Sequence, residues 1–415
     1  MAQNWKKQFF TIYLGQAFSL FGSSAVQFAI IWWLTVQTES AITLTIASIA
    51  AFLPSLFIGP FSGVLIDRLN RRTVMIAADS LVALSSVVLG VMFIVTKAPP
   101  VGFIYLILFI RGLGTTFHGP AIQAAIPLLV PPEMLTKAGG WGNIVNSATA
   151  MLGPVLGAAL MGFMPMSGIM LVDILGAAFA IGCLFFVKIP DIPRNGERPH
   201  VFADMKDGLR AIRANRPLMA VFVPLALVNI LYNPMVSLFP LLVRTHYMGG
   251  VWRTSIAELI FASGLLTSSA VIGVWGGMKR RFLMSSLAIG ILGVGATLSG
   301  ILPTGGFMIF TVCCFFSGAG SAFINVPMMA YTQESIAPEM LGKVLSLLMS
   351  AMSLAMPVGL LIAGPVSEAV GVEKWFFWSG IAIIITAILC RILTKPFDNE
   401  TMKTKAPAPQ IGDGI

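Results

Sequence analysis

Twelve separate stretches of this chain are each long and apolar enough to cross a bilayer, and nothing else in the sequence constrains its fold as tightly. A crossing helix needs about 20 mostly apolar residues to span a hydrocarbon layer of roughly 30 Å. The stretches lie at roughly 9–36, 41–66, 74–96, 101–129, 140–163, 167–188, 218–243, 254–277, 282–302, 306–333, 342–366 and 374–394. Backbone polar groups in lipid must be satisfied within their own segment, so the expected fold class is an all-α membrane protein of twelve transmembrane helices. Composition agrees, with 57% of residues hydrophobic and 10% charged, against about 25% charged in soluble domains. So little polar surface excludes a soluble enzyme, a nucleic-acid-binding protein and a secreted disulfide scaffold.

The longest polar interruption falls at 189–217 and divides the runs six and six. The expected domains are an N-terminal six-helix bundle (1–188), a cytoplasmic linker (189–217), a C-terminal six-helix bundle (218–394) and a cytoplasmic tail (395–415). Basic residues set the orientation, because they collect in cytoplasmic loops. With both termini in the cytoplasm, Lys97, Arg244, Arg253 and Lys374 are the only outer ones of 26 lysines and arginines, and Arg111 is the only one within a span. The chain is therefore expected to be a multi-pass protein of the cell's inner (plasma) membrane, and its net charge of +9 reports topology. The first apolar run is too long for a signal peptide and lacks a clear cleavage site, so it reads as a retained span. Cys183, Cys313, Cys314 and Cys390 lie inside apolar runs without metal-ligand spacing and read as packing residues.

Residues 109–137 and 315–343 align without gaps. They share Phe109/Phe315, Gly112/Gly318, Gly114/Gly320, Phe117/Phe323, Ala124/Ala330, the loop block Pro132-Glu133-Met134-Leu135/Pro338-Glu339-Met340-Leu341, and Lys137/Lys343. Apolar bias does not produce the same loop block twice. Both copies follow one span and precede another on the cytoplasmic side, so the halves are expected to be parallel repeats about an axis along the membrane normal. Two similar bundles that rock about a site between them suit an alternating-access carrier.

An ionisable group inside a span costs on the order of a few kcal/mol and marks a functional candidate. Arg111 sits about ten residues into span four, near mid-membrane at about 1.5 Å per residue, and His118 follows seven residues on along the same helix face. Its possible acidic partners are Asp79, Asp173 and Glu258. A carboxylate away from water takes up a proton more readily, as a proton carrier near neutral pH requires, so Asp173 and Glu258 are alternative proton sites. For each, the competing reading is a hydrogen-bonded structural acid; for Arg111, a buried cation paired with a carboxylate. His118 is a titrating candidate or a hydrogen-bonded helix histidine.

Uncharged polar residues fall in stripes: Gln16, Ser19, Ser23 and Gln27 in span one; Asn143 and Asn146 in span five; Asn229, Asn233 and Ser237 beside Tyr232 in span seven; Ser317, Ser321 and Asn325 in span ten. Such stripes face a wet cavity or another helix. Phe28, Trp32, Phe323 and Met328 add apolar area nearby. The candidate substrate-binding set is Gln16, Gln27, Phe28, Trp32, Asn146, Asn229, Tyr232, Asn233, Phe323, Asn325 and Met328.

After span two the sequence reads Gly59-Pro60-Phe61-Ser62-Gly63-Val64-Leu65-Ile66-Asp67-Arg68-Leu69-Asn70-Arg71-Arg72. Gly59 and Gly63, four apart, leave a bare helix face for close packing. Asp67 can accept hydrogen bonds from Arg68, Arg71 or a neighbouring helix N-terminus. The stretch resembles the signature loop of the major facilitator superfamily, G-x-L-x-D-R-x-G-R-K/R, with Asn70, a residue that also adopts left-handed turns, in place of the second glycine. The corresponding loop of the second half, 273–281, keeps glycine and basic residues but has no acid. Span five carries Gly153-Pro154-Val155-Leu156-Gly157, similar to the G-P-x-x-G motif of antiporters, without the flanking glycines of stronger versions. Leu108-Phe109-Ile110-Arg111, Leu128-Leu129-Val130-Pro131, Glu133 to Lys137 and Ser350 to Pro357 are similar to the macrolide-efflux branch of the drug:proton antiporters.

This resemblance implies two parallel six-helix bundles and a cavity lined by spans one, four, seven and ten. It implies an asymmetric gate of Gly59, Gly63, Asp67, Arg68, Arg71 and Arg72, extended by Asp79, that locks the cytoplasmic side in the outward-open state. Gly153, Pro154 and Gly157 would mark an exporter, and Arg111 resembles a span-four arginine that couples proton transfer, although its glycine follows after three residues rather than four. The expected function is proton-coupled export of amphiphilic small molecules of the macrolide-antibiotic type, with cargo, protons and the lipid bilayer as partners and no nucleic acid. The alternatives are a carrier of this superfamily for a metabolite, lipid or siderophore and, more remotely, a membrane receptor without transport. No catalytic residues, cofactor or metal are expected. The chain has no G-x-x-x-x-G-K-S/T phosphate loop, so ATP use would fall to a separate ATP-binding partner protein, which the sequence does not reveal.

Overall fold

A computed structural model describes residues 5–187, 189, 209–210, 212–213, 215–278, 280–336 and 338–397; the side chains of 60, 63, 64, 67, 68, 136, 338, 339, 342 and 346 also lie outside the described set. Every expected span is a helix: α1 (Trp5–Thr38), α2 (Ala41–Arg68), α3 (Arg71–Thr96), α4 (Val101–Leu129), α5 (Leu135–Phe163), α6 (Met166–Phe185), α7 (Arg216–Thr245), α8 (Val251–Trp275), α9 (Arg281–Ile301), α10 (Phe307–Ser335), α11 (Pro338–Val370) and α12 (Val372–Thr394). Among the described residues there are no strands, and all twelve helices are apolar and long enough to cross a membrane. Several run past the apolar stretch, as α11 does at both ends, because helix can continue through polar residues beyond the hydrocarbon. Asn70 is not left-handed: its φ is −67°, and it caps α3 by accepting from the N–H of Thr73 at 3.2 Å. Most of 189–217, and 398–415, lie outside the described residues.

Packing repeats with the sequence. In the first six helices the main neighbours are α2–α4, α1–α6, α3–α4, α3–α6 and α1–α5; in the second six they are α8–α10, α7–α12, α9–α10, α9–α12 and α7–α11. The second set is the first advanced by six helices. The aligned glycines of α4 and α10 make equivalent contacts. A Cβ on Gly112 would collide with the carbonyl oxygen of Ala51 in α2, and one on Gly318 with that of Phe261 in α8. A Cβ on Gly114 would come within 3.1 Å of the carbonyl oxygen of Ala78 in α3, and one on Gly320 within 3.2 Å of that of Ala288 in α9. Small residues bring helix backbones together where lipid offers no hydrophobic drive, and here the duplicated residues hold duplicated contacts. The architecture is two parallel six-helix bundles, joined chiefly by α2 against α11 and α5 against α8.

Their union is tightest at the end remote from the chain termini. There, the carboxylate of Glu368 at the end of α11 accepts from the first N–H groups of α2, Ala41 at 2.7 Å and Ile42 at 3.2 Å, and from Oγ of Ser40 at 3.0 Å. Those N–H groups have no partner within their own helix, and the helix dipole favours a negative charge beside them. Arg244 Nε meets Glu39 Oε1 at 3.1 Å, Gly364 packs against the side chain of Thr45, and Ser255 Oγ donates to the carbonyl of Pro154 at 3.1 Å. These contacts between the bundles all lie in the half remote from the termini. At the terminal end each bundle has its own apolar cluster, around Phe9, Val130 and Ala138 in the first and around Leu218, Phe282, Tyr331 and Val344 in the second. Gly59, at that end of α2, has nothing within 4 Å of where a Cβ would stand. At Gly59 the close neighbour expected on the bare face is not present.

Candidate functional site

Two adjoining cavities occupy the middle of the molecule. One, of about 430 Å³, lies between the bundles and is lined by Ser24, Gln27 and Phe28 of α1, Ser48, Phe52 and Ser55 of α2, Thr115 of α4, Pro154 of α5, Ser237 of α7, Glu258 of α8 and Met356 of α11. The other, of about 300 Å³, reaches into the second bundle and is walled by Tyr232 and Phe239 of α7, Phe261 of α8, Phe310, Cys314 and Ser317 of α10 and Phe376 of α12. Val236 and Glu258 border both. The combined space has a side of hydroxyls and an amide, a side of aromatic rings, and one carboxylate at the junction. Among the described residues Glu258 has neither a hydrogen-bond nor an ion-pair partner.

The other membrane acids are held differently. Arg111 and Asp173 form a buried ion pair, Nη1 to Oδ2 at 2.5 Å, with residue exposures of 5% and 0%. Ser86 donates to Asp173 at 2.6 Å while accepting from Arg111 at 2.7 Å; Ser23 donates to the second carboxylate oxygen at 2.6 Å. Neither member borders a central cavity. Hydrogen bonds of this density let a charged pair stay out of water.

Asp79, expected to extend the gate, has partners of its own inside the first bundle. It is buried against His118, with Oδ1 3.2 Å from Nε2, and accepts from Gln16 at 3.3 Å and Ser19 at 3.1 Å. The α1 stripe, expected to face a wet cavity or another helix, does both along its length. Gln16, Ser19 and Ser23 turn into their own bundle to serve Asp79 and Asp173, while Gln27 borders the space between bundles. A third, small cavity of about 110 Å³ lies beside Tyr13, Gln16, His118, Gln123 and Asn146.

Of the other expected binding residues, Phe28 and Tyr232 each border a central cavity. Trp32 packs with Phe28 on Ala158 and Val251. Asn229 donates to the carbonyl of Leu225 in its own helix at 2.8 Å and to Sδ of Met352 in α11 at 3.3 Å, and Asn233 donates to Asn229 at 3.4 Å; the bond to Met352 ties α7 to α11. Phe323, Asn325 and Met328 border neither central cavity: Asn325 is exposed and donates to its own helix at Ser321, and Met328 is buried in the terminal-end cluster of the second bundle. The sequence reading omits Ser48, Phe52 and Ser55, whose spacing on one face of α2 is itself a visible stripe, and the rings of Phe239, Phe261, Phe310 and Phe376.

Of the gate residues, Gly63, Asp67 and Arg68 have side chains outside the described set. Arg71 is buried, and the guanidinium of Arg72 lies 5.3 Å from the ring centre of Phe185. Gly153 and Gly157 set α5 against α1, where added Cβ atoms would meet Ser24 and the carbonyl oxygen of Ala25, and Pro154 between them borders the central cavity.

A profile of the Major Facilitator Superfamily matches residues 12–360. Macrolide efflux protein A of Streptococcus pyogenes is 39% identical over 397 residues, covering 94% of this chain and 97% of that protein. The multidrug efflux pump Tap of Mycolicibacterium fortuitum is 27% identical over 382 residues, covering 88% and 90%. Among solved structures, a bacterial homologue of the human lysosomal transporter Spinster, inward-facing and unoccupied, superposes with a TM-score of 0.73 at 13% identity, covering 98% of this chain and 100% of that one. With its fold, its repeat and these relatives together, the chain belongs to the major facilitator superfamily, and within it groups with the macrolide efflux proteins.

Proposed function

We propose that this transporter exports amphiphilic small molecules of the macrolide type in exchange for protons, from the cell's inner membrane, with both termini in the cytoplasm. The observation that carries this reading is Glu258, an unpartnered carboxylate shared by a polar cavity and an aromatic one. A cargo with a hydroxyl-rich side and an apolar side has a surface for each. A carboxylate without a cation or donor is costly to keep ionised in apolar surroundings, so it changes hands between proton and cargo as the cavity opens to one side or the other. Similarity to macrolide efflux proteins supports the cargo class.

With the basic loops placed inside, the closed end is the outer one and the arrangement is inward-open, ready to load from the cytoplasm. Cargo and proton each stabilise the state they bind better, and exchange follows from that difference. Gly59, Gly63, Asp67, Arg68, Arg71 and Arg72 would form the lock that closes the cytoplasmic end in the opposite state, with Gly153, Pro154 and Gly157 letting α5 move against α1. Arg111 and Asp173 act behind the cavity wall as positioning residues. Uptake of a labelled macrolide into proteoliposomes under an imposed pH gradient tests this reading. The expected result is accumulation that collapses with a protonophore; flux indifferent to the gradient would remove the exchange.

A further inference from the structure

The second bundle has space where the first has an ion pair. The gapless match of 109–137 with 315–343 makes Ser317 the counterpart of Arg111. Packing carries the register to the neighbouring helices. Gly114 and Gly320 face the carbonyls of Ala78 in α3 and Ala288 in α9, and the side chains of Val82 and Leu292 one turn on, so the counterpart of Ser86 is Ala296. Gly90 and Gly300, paired in that same register, face the carbonyls of Ser167 in α6 and Glu373 in α12, so the counterpart of Asp173 is Ser379. Cation, bridging hydroxyl and carboxylate in one bundle thus correspond to Ser317, Ala296 and Ser379 in the other. Ser317 and Ala296 line the aromatic cavity of about 300 Å³, and so does Ala262, whose counterpart in α2 is Phe52.

Smaller side chains leave a cavity wherever their surroundings do not collapse around them. This one opens past Val236 and Glu258 to the space between the bundles, and apart from Glu258 no charged side chain lines it. An apolar cavity of about 150 Å³ takes a benzene-sized guest, so there is room here for a group about twice that size. We propose that this is the transporter's specificity pocket: it takes an apolar, ring-sized substituent of the cargo, and Ala262 and Ala296 set the size admitted. The hydroxylated body of the cargo stays between the bundles, among Ser24, Gln27 and Ser55. The first bundle offers no matching pocket, because Arg111 and Asp173 fill the corresponding place. Cargo therefore binds in one orientation, its apolar arm toward α9 and α12. The inference rests on the macrolide-type reading of the cargo and adds which part of it enters which bundle.

Equilibrium binding to the full chain in lipid nanodiscs, with no pH gradient, tests it. Two labelled compounds are compared, a macrolide carrying a benzyl side arm and the same macrolide without it. The wild type should bind the arm-bearing compound about tenfold more tightly, as burial of one apolar ring supplies. A296L and A262L each put a branched side chain into the pocket, the second at a position whose counterpart already holds a phenylalanine. In each variant the preference should vanish while affinity for the armless compound stays at the wild-type level. Equal binding of the two compounds by the wild type, or a preference that survives in both variants, overturns the pocket and leaves exchange at Glu258 standing. A wild type that binds neither compound overturns the cargo reading, and this inference with it.

Discussion

In the first bundle Asp173 faces Arg111 and two serines, and Asp79 faces His118, a glutamine and a serine; in the second, Glu258 faces cavity space and aromatic rings. Yet the helices around these acids pack by one shared plan. The register that sets Ala51 of α2 equivalent to Phe261 of α8, each against an aligned glycine, sets Ser48 equivalent to Glu258, and both line the central cavity. Duplication thus supplies a symmetric frame, and the chemistry differs between its halves. Two paired acids lie inside one bundle; the acid without a partner borders the cavities of the other.

The contrast can be broken most forcefully at Asp173. D173A leaves Arg111 buried without its carboxylate, an effect of about 3–5 kcal/mol, seen as a large fall in thermal stability of the purified protein. E258Q removes no partner, and its melting temperature should match or exceed the wild type. A fall as large as that of D173A would place Glu258 among the structural acids. The frame itself predicts equal damage from G112A and G318A, each about 1–3 kcal/mol by overpacking, in the same melting assay. A loss confined to one of them would show that the repeated contacts are not equivalent.

A smaller effect is expected at the closed end, where E368Q weakens a charge–dipole contact worth about 0.3–1 kcal/mol. Distances between spin labels on the ends of α2 and α11 that meet at Glu368 should then shift toward longer separations. R244Q, at an exposed pair worth about 0–1 kcal/mol, should shift them least.

The fold is legible in the sequence because each of its levels leaves a linear trace. Apolar length marks the spans, basic residues mark their ends, and the repeated Gly112/Gly318 and Gly114/Gly320 mark the packing. The site is only half legible. Periodicity reports which residues share a helix face, and it groups Gln16, Ser19, Ser23 and Gln27 correctly. It does not report which neighbour meets that face, and along α1 the neighbours change from buried acids to an open cavity. For the same reason the sequence offers Asp79, Asp173 and Glu258 alike as partners, and the choice of Asp173 for Arg111 waits on three-dimensional proximity. The α2 residues Ser48, Phe52 and Ser55 are visible in sequence, but the resemblance directs attention to spans one, four, seven and ten. Asn325 and Met328 lie away from both central cavities, since polar or adaptable character on a helix does not fix where along its length a cavity lies.

Transport by E258Q in proteoliposomes tests the central claim most directly, with cargo counterflow and pH-gradient-driven accumulation measured side by side. The account predicts that E258Q still exchanges labelled for unlabelled macrolide across the membrane but no longer accumulates it in response to a pH gradient. An E258Q protein that concentrates macrolide as the wild type does would contradict it.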